Sequence, residues 1–95
     1  MRKIMVKNAP SDRYDEGAVS NFLEYWEQRC SDKKDATWCR HCGEKKKHVE
    51  LVGAHVIRTT GDDYNVYLVP SCEACNNYTN TDGFEVSEED LIRAP

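Results

Sequence analysis

Trp38-Cys39-Arg40-His41-Cys42-Gly43 opens, and Val69-Pro70-Ser71-Cys72-Glu73-Ala74-Cys75-Asn76-Asn77 closes, the stretch around which this chain is organised. Each half holds a Cys-x-x-Cys pair, 39/42 and 72/75. Two residues between the cysteines let both sulfurs of a pair turn to one side of a tight loop. Two such pairs supply four thiolates, the set that tetrahedral Zn²⁺ takes in a closed structural site. Gly43, directly after the first pair, suits the positive-φ step such a knuckle requires. Redox dithiols and disulfides are the alternatives. A redox Cys-x-x-Cys is normally a single pair beside a βαβ pattern, and no such pattern is evident. The expectation is one structural zinc bound by Cys39, Cys42, Cys72 and Cys75.

The rest of the composition agrees. At 95 residues the chain makes one small domain, of a size that often needs a staple. Charged residues are 32% of the sequence and the mean hydropathy is −0.79, so the apolar core is modest and a metal carries part of the folding energy. There is no apolar run long enough to span a membrane and no apolar N-terminal leader. Five cysteines, four of them at metal spacing, point to a reducing, intracellular setting, the cytoplasm. The formal net charge is −4, and four thiolates with a Zn²⁺ take it to about −6. Such a protein binds nucleic acid poorly unless its basic residues gather on one face.

Outward from the knuckles, residues 1–8 carry a short apolar run between basic residues and read as an edge strand guarded by lysines. Ser11 or Asp15 can cap a helix along which Val19, Phe22, Leu23, Trp26 and Cys30 recur on one face. Cys30 ends that stripe as a small buried thiol outside the metal site. This stripe should cover the hairpin or the outer face of the knuckles. An exposed Trp26 would instead mark a homodimer or partner surface. Residues 31–35 are a polar link. Glu44, Lys45, Lys46, Lys47 and His48 form a turn, either solvated or in contact with phosphate. Residues 49–57 and 64–69 read as the two strands of a hairpin, with residues 59–63 turning between them and Pro70 ending the second. A helical turn is plausible from Cys75. Ser87-Glu88-Glu89-Asp90 resembles a capping box and predicts a short C-terminal helix. Trp26 and Trp38 read as core and knuckle-packing groups, His41 as exposed, and His48 as a loop residue.

Cys-Arg-His-Cys-Gly, then Gly-Ala-His-Val at 53–56, then Tyr-Leu-Val-Pro-Ser-Cys-Glu-Ala-Cys-Asn at 67–76, resembles an HNH-type nuclease module. The variant it is most similar to has a structural four-cysteine zinc, as in phage junction-resolving endonucleases. The resemblance covers about residues 38–80. It implies a treble clef: a knuckle, a β-hairpin, and a short helix whose first turn carries the second cysteine pair. It also implies that His55 is the general base that activates water. Asn76 is then a helix-borne ligand for a catalytic Mg²⁺ or Mn²⁺. In that chemistry the base needs a pKa near neutrality and the ion neutralises the phosphate in the transition state.

The chain departs from the pattern at two positions. Ala54 stands where many members have the Asp that completes the metal site, and Tyr67 where many have an Asn that orients the catalytic loop. Glu50, Asp62 or Asp63 is then left to supply a carboxylate, and Ala54→Asp should restore metal affinity to a decayed site. Without those supports, His55 can equally be a histidine that hydrogen-bonds the hairpin, and Asn76 a turn residue. The expected fold is a small α+β domain, a zinc-stabilised treble clef with an N-terminal helix packed on it. One domain spans 1–95, with the N-terminal strand and helix at 1–36, the zinc unit at 37–80, and a tail with a short helix at 81–95. The expected function is that of an HNH-like nuclease or a nuclease-derived zinc protein acting on nucleic acid, with weak activity or none. Nucleic-acid contacts are expected through Lys45, Lys46, Lys47 and Arg58. The alternative is a non-catalytic zinc module that binds protein or nucleic acid, with a protein partner or a second copy as its target.

Overall fold

Alternation of apolar and charged side chains shapes the first strand. In β1 (Lys3–Asn8) Ile4 and Val6 are buried while Lys3, Met5 and Lys7 point to solvent. The computed structural model of the protein describes residues 2–30, 36–61, 63–77 and 79–95, so the link at 31–35 and Asp62 lie outside the described residues. After β1 come α1 (Phe22–Arg29), β2 (Leu51–Arg58), β3 (Tyr67–Cys72), β4 (Phe84–Ser87) and β5 (Ile92–Arg93). The strands form one antiparallel sheet in the order β4-β1-β2-β3-β5.

Two clusters of buried side chains use the two faces of this sheet, as the two-residue period of a strand requires. Leu51 of β2, with Leu68 and Cys72 of β3, packs against Trp26 of α1, Cys30, Ala36 and Cys39. Val56 and Val69, at odd offsets from Leu51 and Leu68 along the same strands, pack with Ile4, Val6, Phe84 and Val86. Trp26 is fully buried, so the apolar stripe of α1 packs on the hairpin. The helix crosses β2 closely at Gly53. A Cβ there would lie 2.5 Å from the Phe22 carbonyl carbon and 2.6 Å from the Leu23 nitrogen. Those are backbone atoms and cannot swing aside. Gly53→Ala is therefore expected to push α1 off the sheet at a cost of about 1–3 kcal/mol, read as a lower midpoint in urea denaturation. An unchanged midpoint would refute this close crossing.

Several local expectations need correction. β1 is not an edge strand, because β4 pairs with it from Lys3↔Ser87 to Val6↔Phe84. Residues 84–87 alternate Phe84 and Val86 inward with Glu85 outward, which a strand can bury and a short helix cannot. Only a 3₁₀ turn, Glu88–Asp90, follows before β5, so the C-terminal helix does not form. α1 starts late: its cap is Asn21, whose side chain accepts a hydrogen bond from the Glu24 N–H at 3.0 Å. Asp15 instead caps a local turn by accepting from the Gly17 N–H.

The third strand runs through Pro70 and does not end there. Pro70 lies opposite Gly53, and its carbonyl accepts from the Arg40 N–H of the first knuckle at 2.9 Å. A residue's nitrogen and carbonyl share one side of a strand, so the missing N–H faces the knuckle and costs no bond to β2. Of the second cysteine pair, Cys72 ends β3 and Cys75 sits on a turn at residues 73–76, closed by the Asn76 N–H donating to the Cys72 carbonyl. Among the described residues no helix follows, and the short helix of the expected treble clef is this turn. No helix of the described residues is long and apolar enough to cross a membrane.

Candidate metal centre and its adjoining cleft

The first knuckle is built by its own backbone. The Cys39 N–H donates to the Glu44 carbonyl, the Gly43 N–H donates back to the Cys39 carbonyl, and Gly43 adopts φ 82° to make the turn. The N–H groups of His41 and Cys42 both point at the Cys39 sulfur, 3.4 Å away. β3 delivers Cys72 opposite Leu51, and the following turn carries Cys75 round beside it. The four sulfurs lie within 4.8 Å of one another. Cys42 Sγ and Cys72 Sγ are 3.8 Å apart, about the separation of two thiolates at tetrahedral positions roughly 2.3 Å from one ion. These four cysteines can therefore bind a metal ion, and the geometry is compatible with zinc. Cys30 stands outside the cluster, in the core beneath α1.

The thiols are unequal. Burial pushes Cys39 up, but the N–H groups of Cys42, Cys72 and His41 and the Ser71 hydroxyl outweigh it and bring the thiol down to about 6. For Cys75, burial and the neighbouring Cys72 and Cys42 raise the pKa far above the ordinary thiol value. One thiolate thus forms readily, and a cation is needed to ionise all four together.

Beside the cluster lies an open cleft of about 570 Å³, lined by Asn8, Tyr14, Glu16, His55, Asn76 and Asn80 among others. The end of β1 ties it to the second knuckle. Asn8 Nδ2 donates to the carbonyls of Cys75 (2.9 Å) and Asn80 (3.1 Å), and Asn80 Nδ2 donates to the Cys75 carbonyl (3.0 Å). His55 and Asn76 thus share one cleft, and Glu16 adds a carboxylate. Of the carboxylates expected from sequence, Asp62 lies outside the described residues, and Asp63 and Glu50 are elsewhere. Asp63 accepts from the Tyr67 hydroxyl and pairs with Arg58 at 3.2 Å. That hydroxyl, with the Asn65 N–H, holds the Asp63 carboxyl below its ordinary value. Glu50 borders a separate shallow groove beside Gly53. Ala54 is fully buried, so Ala54→Asp would bury a carboxylate in the sheet and not restore a metal site.

His55 is covered. Tyr14 stacks flat on its ring, centroids 3.6 Å apart and planes 5° apart, and Phe22 meets it edge-on at 4.4 Å. Its Nε2 is buried without a hydrogen-bond partner. Burial lowers its pKa from 6.5 to about 4. An unfolded His55 takes up a proton below pH 6.5, whereas the folded one resists until about pH 4. Stability from this group is therefore complete at pH 7 and lost as the pH falls through that window, by about 3 kcal/mol at most. The His55 ring resonances should titrate with a midpoint near 4; an ordinary midpoint would contradict the enclosure.

Other side chains also depart from expectation. His41 is half-buried against Phe84, ring centroids 4.3 Å apart. Arg58 pairs with Asp63 through Nε at 3.2 Å. Arg40 is buried: its guanidinium lies over Trp38, 3.9 Å from the ring centre, and bonds Asp90 at 2.9 Å. It thereby straps the first knuckle to the C-terminal segment. Asn8, Tyr14 and Glu16 lie before the motif, where no spacing marks them. Compared with family models, with curated proteins and with solved structures, the chain matches none.

Proposed function

We propose that this chain is an HNH-like nuclease, or a zinc protein derived from one, that acts on nucleic acid. The observation that carries this reading is the meeting of His55, Asn76 and the Glu16 carboxylate on one cleft beside the four-cysteine cluster. In this reading the cluster holds zinc and fixes the two knuckles of a shortened treble clef. Asn76 and Glu16 would hold a Mg²⁺ or Mn²⁺, an amide oxygen and a carboxylate being donors that hard cations accept. Such an ion supplies charge neutralisation at the scissile phosphate. His55, neutral at pH 7, takes the proton of the attacking water. Lys45, Lys46 and Lys47, exposed on the turn of the first knuckle, contact the phosphate backbone.

The enclosure of His55 favours the nuclease-derived, non-catalytic form. A base stacked under Tyr14, abutted by Phe22 and with a pKa lowered to about 4 abstracts protons poorly. Cleavage assays with Mg²⁺ or Mn²⁺ on wild type and His55→Ala separate the two forms. The catalytic form requires a loss of about 10²–10⁴-fold in His55→Ala; equal rates reject it. In either form, binding through three lysines should weaken with a log–log salt slope of about −2 to −3. Absence of binding at low salt rejects the nucleic-acid reading.

A further inference from the structure

The lining of the cleft is unusual for a site meant to meet phosphate. Asn8, Asn76, Asn77 and Asn80 line it with Tyr14 and His55, and among the described residues its charged member is the acid Glu16, with no lysine or arginine. An anion entering alone would meet a carboxylate and no cation. Its volume, about 570 Å³, lies in the range of small-molecule sites, about 300–1,000 Å³.

Two lining side chains carry polar atoms with nothing to bond. Both hydrogens of Asn8 Nδ2 are committed to the Cys75 and Asn80 carbonyls, which fixes the amide and leaves Oδ1 a buried acceptor without a donor. His55, 7% exposed, has an unpartnered Nε2. Buried polar groups are seldom left unpaired in a folded protein. The cleft is therefore complete only with a guest that offers hydrogen-bonding groups and bears no negative charge. Asn8 Oδ1 is an acceptor, His55 Nε2 is unpartnered, and the exposed Asn76 amide offers a donor and an acceptor side by side, a set that can meet the edge of a nucleobase. Unstacked bases are read on their edges in this way, next to aromatic rings such as Tyr14.

We propose that the cleft takes an unpaired nucleobase, held edge-on by Asn8 Oδ1 at the end of β1, His55 Nε2, and the Asn76 amide on the second knuckle. The proposal rests on the non-catalytic form of the nucleic-acid reading above, in which Asn76 and Glu16 hold no metal, and deepens it: the lysine turn contacts phosphate, and this cleft receives a base from an unpaired or extruded nucleotide.

The test is an NMR titration of the full chain with adenosine and cytidine, with inorganic phosphate, and with a short uncharged peptide amide. The ring signals of His55 and the side-chain amide of Asn8 are observed. The nucleosides are expected to give saturable shifts at both, and phosphate and peptide none. Asn76→Ala, on an exposed turn, should weaken nucleoside binding about fivefold to tenfold. Asn8→Ala should do the same, its fold being checked by unchanged amide signals in β2 and β3. Shifts caused by phosphate or peptide in place of the nucleosides, or no saturable shift with any of them, overturn the proposal. Cleavage is a separate readout. Base binding without cleavage removes the catalytic reading alone, and cleavage without base binding removes this one alone.

Discussion

Stripping the metal with a chelator, or replacing Cys72 with Ser, is expected to abolish the cooperative unfolding transition. Structural zinc contributes about 10–16 kcal/mol of apparent binding energy, against about 5–15 kcal/mol of total stability for a domain. The metal site is also part of the core here. Cys39 and Cys72 pack with Leu51, Leu68 and Trp26, so releasing the knuckles opens one face of the sheet. Serine is close to cysteine in size, so packing loss alone would be small and a large effect reports the metal. Cys30→Ser is the control: it lies outside the cluster and should keep the metal. Far-UV circular dichroism with and without chelator reads the outcome. An unchanged transition in Cys72→Ser would show that no metal supports the fold.

Trp26→Ala should cost about 3–5 kcal/mol, a large share of what a domain of this size has. Trp26 is fully buried, and its Nε1 donates to the Asp90 carbonyl at 2.7 Å. The same Asp90 accepts from Arg40 through its carboxylate. Removing the indole therefore opens a cavity under α1 and loosens the strap between the first knuckle and the C-terminal segment. Trp26→Phe keeps most of the ring area and loses the hydrogen bond, so it should cost less, about 1–2 kcal/mol. Urea denaturation of both variants measures the difference. A cost below about 1 kcal/mol for alanine would mean that α1 is not docked as described.

The four-cysteine cluster was legible in the sequence because its information is local. Cys-x-x-Cys fixes the knuckle geometry within four residues, and Gly43 marks the turn. The hairpin was legible for the same reason, since β-branched runs flank a polar turn. What was hidden depends on partners distant in the chain. Whether residues 3–8 form an edge is decided by residues 84–87, which pair with them. The capping-box pattern at 87–90 is a real local preference, overridden because Phe84 and Val86 bury better as a strand and Ile92 pairs beside Leu68. In the cleft, His55 and Asn76 carry a motif, whereas Asn8, Tyr14 and Glu16 are brought in by the segment leaving β1. No periodicity or spacing announces them. The enclosure of His55 was equally out of reach, because it needs the ring of Tyr14 laid on it from a segment 41 positions earlier.

X-ray absorption at the zinc edge of the purified protein tests the central claim most directly, that the two knuckles close on one ion. The expected result is about one zinc per chain with a single shell of four sulfurs at about 2.3 Å. A folded protein without zinc, or a first shell containing nitrogen or oxygen in place of one of the four cysteines, would contradict it.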